Sequence, residues 1–396
     1  MRTITAIFSA LLIVNACKNQ PPEEVVFEKK IISNEANLWW ARSFADINGD
    51  GLQDIVLQDN NGHGGWLGWL ETGKGLDQWT KHIISDTATA GEKYASGDMA
   101  AADFDNDGDI DILGFAHPGE WGGGAVKPTS IYWFENPGWA KHYIGEVPAF
   151  VKDVEIADFN QDGKPDIVVN NFENTSLQVF TQTDQAWEEV LNITIPNLHE
   201  GMHVGDIDGD GFPDIAPNGY WLKSPGKNLS NDWELLSIDE KWHNQGGDWS
   251  RNATKVFGAD LDRDGKDEVF ISHSERVDYP LAWYKLTDIK NNIWEEHIID
   301  SINACHTFQV FDFNNDGSLD ILAGENQQRW GGDDDPTDPF VLYLNNGDNT
   351  FSMQLISNEG IYNGLAGDIE GDGDFDILRL PGHASETMEI WLNQTK

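Results

Sequence analysis

The chain has 396 residues, with 68 Asp+Glu against 25 Lys+Arg and a formal net charge of -43. That balance excludes a nucleic-acid phosphate binder, which needs a basic surface. Its 17 Trp, 19 Phe and 8 Tyr exclude the disorder that extreme acidity otherwise implies, because a chain this aromatic buries a core.

The first element is a short apolar run, Ile4 to Val14, preceded by Arg2 and followed by Asn15-Ala16-Cys17. It is too short to span a bilayer as a mature helix. It resembles a bacterial lipoprotein signal, which implies export, cleavage after residue 16, lipidation at Cys17 and a polar tether over 17–24. The expected product is an outer-membrane lipoprotein, monomeric, touching the membrane only through its lipid. Cys305 is then the one remaining thiol, so no internal disulfide is expected. It reads as a small buried apolar residue.

From residue 46 onward one pattern recurs: Asp-x-Asp/Asn/Glu-x-Asp-Gly-x-x-Asp/Glu, then an apolar pair. Positions 1, 3, 5 and 9 are Asp46, Asn48, Asp50 and Asp54, then Asp103, Asp105, Asp107 and Asp111, then Asp158, Asn160, Asp162 and Asp166. They recur as Asp206, Asp208, Asp210 and Asp214, and as Asp260, Asp262, Asp264 and Glu268. Asp312, Asn314, Asp316 and Asp320, then Asp368, Glu370, Asp372 and Asp376, complete the set. Oxygens at alternating positions of a tight loop converge on one hard cation, and Gly at position 6 permits the turn. Oxygen-only ligation favours Ca²⁺ over zinc or copper, giving up to seven structural sites. A period near fifty residues means a propeller or array. These loops resemble FG-GAP/VCBS repeats, and seven of them imply an all-β, seven-bladed β-propeller over residues 25–396.

Each repeat continues with a short apolar strand, a third strand bearing an aromatic, and a fourth of the Trp-x-x-His-x-Ile kind. The third-strand aromatics, Trp69, Trp133, Trp221, Trp283, Tyr343 and Trp391, are expected in one register. The last repeat ends at its third strand, and Phe27 to Ile32 carries the register of the missing fourth. The N-terminal strand is therefore expected to close the ring.

If the acidic loops join strands one and two, the opposite face carries the remaining loops. His82, His142 and His297 occupy the fourth-strand repeat position and read as structural. The other eight His, including His63, His117, His199, His203, His243, His273, His306 and His383, fall on the opposite face. So do Trp39, Trp40, Trp66, Trp121, Trp242, Trp249 and Trp330, with Arg42, Lys93, Lys152, Arg251, Lys255, Arg276 and Arg329. Indole faces stack on sugar rings, guanidinium forks pair with carboxylates, and imidazole moves protons near neutral pH. The expected partner is an anionic oligosaccharide.

The segments GMHVGDIDGDG, ISHSERVDYPLAWY and CHTFQVFDFNNDG resemble the propeller of fungal aldos-2-ulose dehydratases. Flavobacterial dehydratases of ulvan breakdown are similar, and propeller ulvan lyases are a looser match. The resemblance implies β-elimination from a uronic-acid-ended sugar with loss of water. Arg251 or Arg276 would neutralise the carboxylate, and His203 or His273 would take the proton. Tyr279, His199 or His306 would protonate the leaving hydroxyl. His117, Glu325, Trp249, Trp121, Trp40, Arg42, Lys152 and Trp330 would bind substrate. A His/Glu cluster could also hold a further divalent metal. The rival expectations are a polysaccharide lyase cutting inside a uronate polymer and a non-catalytic glycan-binding or adhesion propeller.

Overall fold

Strands of Val, Ile, Trp and Phe cut by glycine turns satisfy their backbone groups only by pairing with one another. They pair as seven antiparallel sheets, the blades of a propeller. The computed structural model describes residues 22–36, 38–60, 64–88, 92–118, 126–171, 174–183, 186–197, 200–230, 232–247, 249–326 and 337–395. The inner strands are Arg42–Ala45, Ala101–Ala102, Val151–Ala157, Met202–Gly205, Thr254–Ala259, Cys305–Phe311 and Tyr362–Gly367. They pack around a central shaft. Blade two departs from the plan: Lys93–Tyr94 and Ala101–Ala102 both pair with Asp111–His117, so its inner edge is split.

Phe27–Ser33 pairs antiparallel with Met388–Asn393, placing Phe27 opposite Asn393. The seventh blade is thus built from both ends of the chain, as the shared register predicts, and the C-terminal strand Met388–Asn393 is paired on both sides. Fully buried Arg379 fastens it, donating from Nε to the Gly360 carbonyl at 2.6 Å and pairing with the Glu389 carboxylate.

The acidic loops hold themselves together. Asp46 accepts from the amides of Asp50 at 3.0 Å and Gly51 at 2.9 Å, and Asp312 repeats this with Asp316 and Gly317. The sixth-position glycines, Gly51 at φ +90° and Gly317 at φ +88° among them, sit where a Cβ would be strained. Position nine is buried and ties the loop to strand three: Asp54 accepts from the Ile47 amide at 3.1 Å and the Thr72 amide at 2.8 Å. Asp320 and Asp376 do the same. Blades are stapled by side-chain amides at the end of strand three. Asn136 Nδ2 reaches the Ile47 carbonyl at 2.8 Å, Gln182 Nε2 reaches Phe104 at 2.7 Å, and Asn393 Nδ2 reaches Phe313 at 2.8 Å.

The third-strand aromatics do not share one register. Trp69, Trp133 and Trp283 pair with Val56, Leu113 and Phe270, at position eleven of their repeats. Tyr343 and Trp391 pair with Ile321 and Ile377, at position ten, and so face the other side of the sheet. His82, His142 and His297 stack on the three Trp rings at 4.3, 4.2 and 3.8 Å. Trp221 keeps the same side as these three, with Leu236 opposite it. Met353 faces Tyr343, and Lys29 faces Trp391.

Candidate functional site

Strand one of each blade begins on the face away from the acidic loops, so the first residues of these strands ring the mouth of the shaft. A cavity of about 450 Å³ opens there, and Arg42, Asp98, Lys152, Glu155, Lys255 and His306 stand in its wall. Behind His306 lie buried Glu200 and Glu275, and the ligand-capable atoms of the three are within 4.8 Å of one another. The backbone forces this. Gly201 has φ +92°, and an added Cβ would sit 2.6 Å from the Thr254 carbonyl. Thr254 Oγ1 donates to the Glu200 carbonyl at 2.7 Å, which fixes the turn that carries Glu200 into the protein. Ser274 Oγ then donates to Glu200 Oε1 at 2.5 Å, and Lys152 Nζ lies 2.6 Å from Oε2. His306 Nε2 is 3.3 Å from Glu275 Oε1, and neither ring nitrogen makes a directed hydrogen bond among the described residues.

The electrostatics separate these groups. Burial, then the charge of Lys255, drives His306 well below the usual imidazole range, so it stays neutral. Burial works against the Glu200 charge, but Lys152 and Lys255 outweigh it and hold that carboxyl below the ordinary range. Burial and neighbouring Glu200 push Glu275 up to about 8. In the cavity wall, burial and Asp153 push Asp98 up to about 7, and burial with Asp98 and Asp153 pushes Glu155 up to about 8. A neutral imidazole therefore shares the site with carboxyls that keep their protons near neutrality, the separation that acid–base chemistry needs. Glu200, Glu275 and His306 are also the residues here that could hold a divalent ion. Lys152 already supplies positive charge to one of them.

Of the sequence-predicted residues, His306, Lys152, Lys255, Arg42 and Trp40 line the cavity. Arg42 is buried and donates to carbonyls of Trp39, Tyr362 and Asn363, so it binds blade one to blade seven. Trp40 stacks on His383 at 4.4 Å. His203 lies between blades four and five, with Nε2 3.1 Å from Asp267 Oδ2 and its ring in the space left by Gly258. His273 Nδ1 accepts from the amides of Glu275 at 3.2 Å and Arg276 at 3.1 Å, while Nε2 lies 3.2 Å from the Arg251 carbonyl. Both ring nitrogens are engaged, and no lone pair is left to take a proton. Tyr279 packs 4.1 Å from that ring, Arg276 bonds Ser250 Oγ, and Arg251 is exposed on the short turn Trp249–Asn252. These four form a brace beside the cavity. His117 is buried edge-on to Phe150 at 5.5 Å, and Glu325 holds Pro339 and Ile361 through its backbone. Cys17, His63, Trp121, His199, Arg329, Trp330 and the Trp249 side chain lie outside the described residues.

Sequence reasoning gave no role to Glu200, Glu275, Asp98, Asp153 or Glu155. One signal was available: the inner strand Val151–Ala157 carries Lys152, Asp153 and Glu155 where a barrel-like interior is otherwise apolar. The shaft mouth, on the face away from the acidic loops, therefore carries carboxyl groups as well as Lys152, Lys255 and Arg42.

The FG-GAP-like repeat family matches residues 46–114, 158–216, 260–323 and 312–378, more than half of the sequence. The chain belongs to that family. It is 30% identical over 118 residues to cartilage acidic protein 1 of Mus musculus, covering 27% of this chain and 18% of that protein. The human protein of the same name is 29% identical over 118 residues. The chain thus spans less than a fifth of the curated relatives it matches. In fold it is similar to BBS1N, solved in complex with ARL6DN, at a TM-score of 0.58 and 10% identity, covering 93% of this chain and 96% of that one. It is similar likewise to an Agrocybe aegerita lectin that recognises non-reducing terminal N-acetylglucosamine. There the TM-score is 0.53 at 15% identity, covering 94% and 95% of the two chains. At these identities the likeness is one of fold.

Proposed function

We propose that the shaft mouth is the active site of a carbohydrate dehydratase that eliminates water from the uronic-acid end of an oligosaccharide. The observation that carries this reading is His306: a neutral, buried imidazole in the cavity wall whose ring nitrogens make no directed hydrogen bond among the described residues, with Glu275 at 3.3 Å and Lys152, Lys255 and protonated carboxyls around it. Lys255 receives the substrate carboxylate, which stabilises charge developing at the adjacent carbon. His306 takes the proton from that carbon. The hydroxyl on the next carbon leaves as water with a proton from Asp98 or Glu155, and the electron pair of the broken C–H bond forms the C=C bond. Imidazolium and carboxylate are left in one cavity, and a proton passing between them restores the resting state. Acidic loops on the other face, such as that of Asp103, Asp105 and Asp107, would hold calcium as a framework ion, with the loop's own amides orienting the carboxylates.

The test is mass spectrometry of products from uronate-ended oligosaccharides. Loss of one water, abolished in His306→Gln with the melting temperature retained, supports the reading. Shortened chains would instead mean a polysaccharide lyase. Binding without any turnover would mean a glycan-binding propeller, and an active His306→Gln would remove this residue from the chemistry.

A further inference from the structure

The seven acidic loops are not equivalent, because the residue that strand three places beside them is not the same in every blade. Position ten of the repeats pairs with Leu70, Phe134, Phe180, Leu222, Tyr284, Tyr343 and Trp391. The next residues along are Glu71, Glu135, Thr181, Lys223, Lys285, Leu344 and Leu392. Blades four and five alone place a lysine there. Lys285 Nζ lies 2.8 Å from Asp264 Oδ2 and 3.3 Å from Glu268 Oε1, and it also bonds Asp262 Oδ2. Lys223 Nζ lies 3.4 Å from Asp210 Oδ2 and pairs with Asp208 Oδ2. The two side chains are 25% and 29% exposed.

Positions three, five and nine are the oxygens a hard cation would use, and an ammonium offers them three donors. Calcium at its usual distance of about 2.3–2.6 Å from the same oxygens would stand against a fixed positive charge. The lysine is tethered to the blade, whereas calcium must arrive from solution. We propose that Lys223 and Lys285 are built-in counter-ions that take calcium's place in the loops of blades four and five. The two loops then keep their shape at any calcium concentration. On the reading that the other loops take calcium, from which this count derives, five sites remain of the seven acidic loops.

Purified chain equilibrated with CaCl₂ and desalted is analysed for bound calcium by mass spectrometry, alongside Lys223→Met, Lys285→Met and the double variant. The expected contents are about five per chain in the wild type, one more in each single variant and two more in the double. Seven in the wild type, or an unchanged content in the double variant, overturns the proposal. If the wild type binds none and the double variant binds two, the lysines act as proposed and the calcium reading of the other loops fails. A second measurement needs no variant. Acetylation of Lys223 and Lys285 in the wild type is expected to be slow and indifferent to CaCl₂; a calcium-dependent rise in their reactivity means that calcium displaces them, and overturns the proposal.

Discussion

His273 offers the sharpest test of how the brace beside the cavity is built. It is 1% exposed, and its Nδ1 accepts two amides while Nε2 faces the Arg251 carbonyl. Burial lowers its pKa from 6.5 to about 4, against which the Arg251 carbonyl and Glu200 act only partly. The folded-state pKa is depressed, so the folded protein resists a proton that the unfolded chain accepts. This contribution is fully present above pH 6.5, is lost as pH falls, and levels off near pH 4. A shift of that size corresponds to about 3 kcal/mol in full, of which about 2 kcal/mol is lost between pH 7 and pH 5. His273→Phe removes the acceptor and leaves two buried amides without one, a destabilisation of about 2–5 kcal/mol at pH 7. The variant does not suffer the acid penalty. The stability gap between wild type and variant should therefore narrow by about 2 kcal/mol from pH 7 to pH 5. Urea unfolding followed by tryptophan fluorescence at fixed calcium measures it, and subtracting the two proteins cancels every other titrating group. A gap that stays constant across this range would refute the argument, because His273 would then titrate as it does in the unfolded chain.

Other outcomes follow from single contacts. Arg379→Met removes the Glu389 ion pair and leaves the Gly360 carbonyl without its donor, while Lys29 and the Trp391 indole still meet Glu389. It should cost about 1–3 kcal/mol, read as an earlier urea midpoint with an unchanged slope. Cys305 is buried, and its thiol is pushed up to about 12 by burial. It should not react with a disulfide reagent until the protein is unfolded, and stoichiometric reaction in the native state would contradict that burial. Removing calcium with a chelator should lower the melting temperature through lost ligation and carboxylate repulsion; an unchanged value would count against metal in the loops.

The repeat was legible because its chemistry is local. Gly at position six, alternating oxygens and an apolar pair report one loop each, and seven of them in series leave one architecture. The closing strand was legible for the same reason, since Phe27 to Ile32 carries a repeat register of its own. The site was less so, because its residues come from all seven blades and their roles depend on which strand positions face the shaft. His203 and His306 sit near the starts of strand one in neighbouring parts of the ring. His203 stands three residues before its acidic loop and His306 six before its own, at a register irregularity between Cys305 and Thr307; His306 faces the cavity and His203 lies between two blades. His273 looked like a base for its chemistry alone; the two amides that consume its lone pair belong to Glu275 and Arg276, and only the folded turn brings them round.

Lys255 connects the two walls of the cavity, and this makes its role separable from simple packing. Its charge lowers the pKa of Asp98 on one side and of His306 on the other, and it acts on Glu200 and Glu275 behind. If His306 is the base, the acid limb of the pH–rate profile reports its loss of neutrality. If Asp98 is the acid, the alkaline limb reports loss of its proton. Lys255→Met removes a positive neighbour from both, so both pKa values rise and the whole profile moves to higher pH. The substitution also removes the partner of the substrate carboxylate, so KM for a uronate-ended oligosaccharide should rise roughly tenfold or more, as losing one charge-assisted contact of about 1.5–3 kcal/mol implies. A packing defect would lower the rate at every pH and leave the limbs where they were. Two limbs moving in the same direction, together with the higher KM, would place Lys255 between the acid and the base; limbs that stay fixed would break the assignment of both.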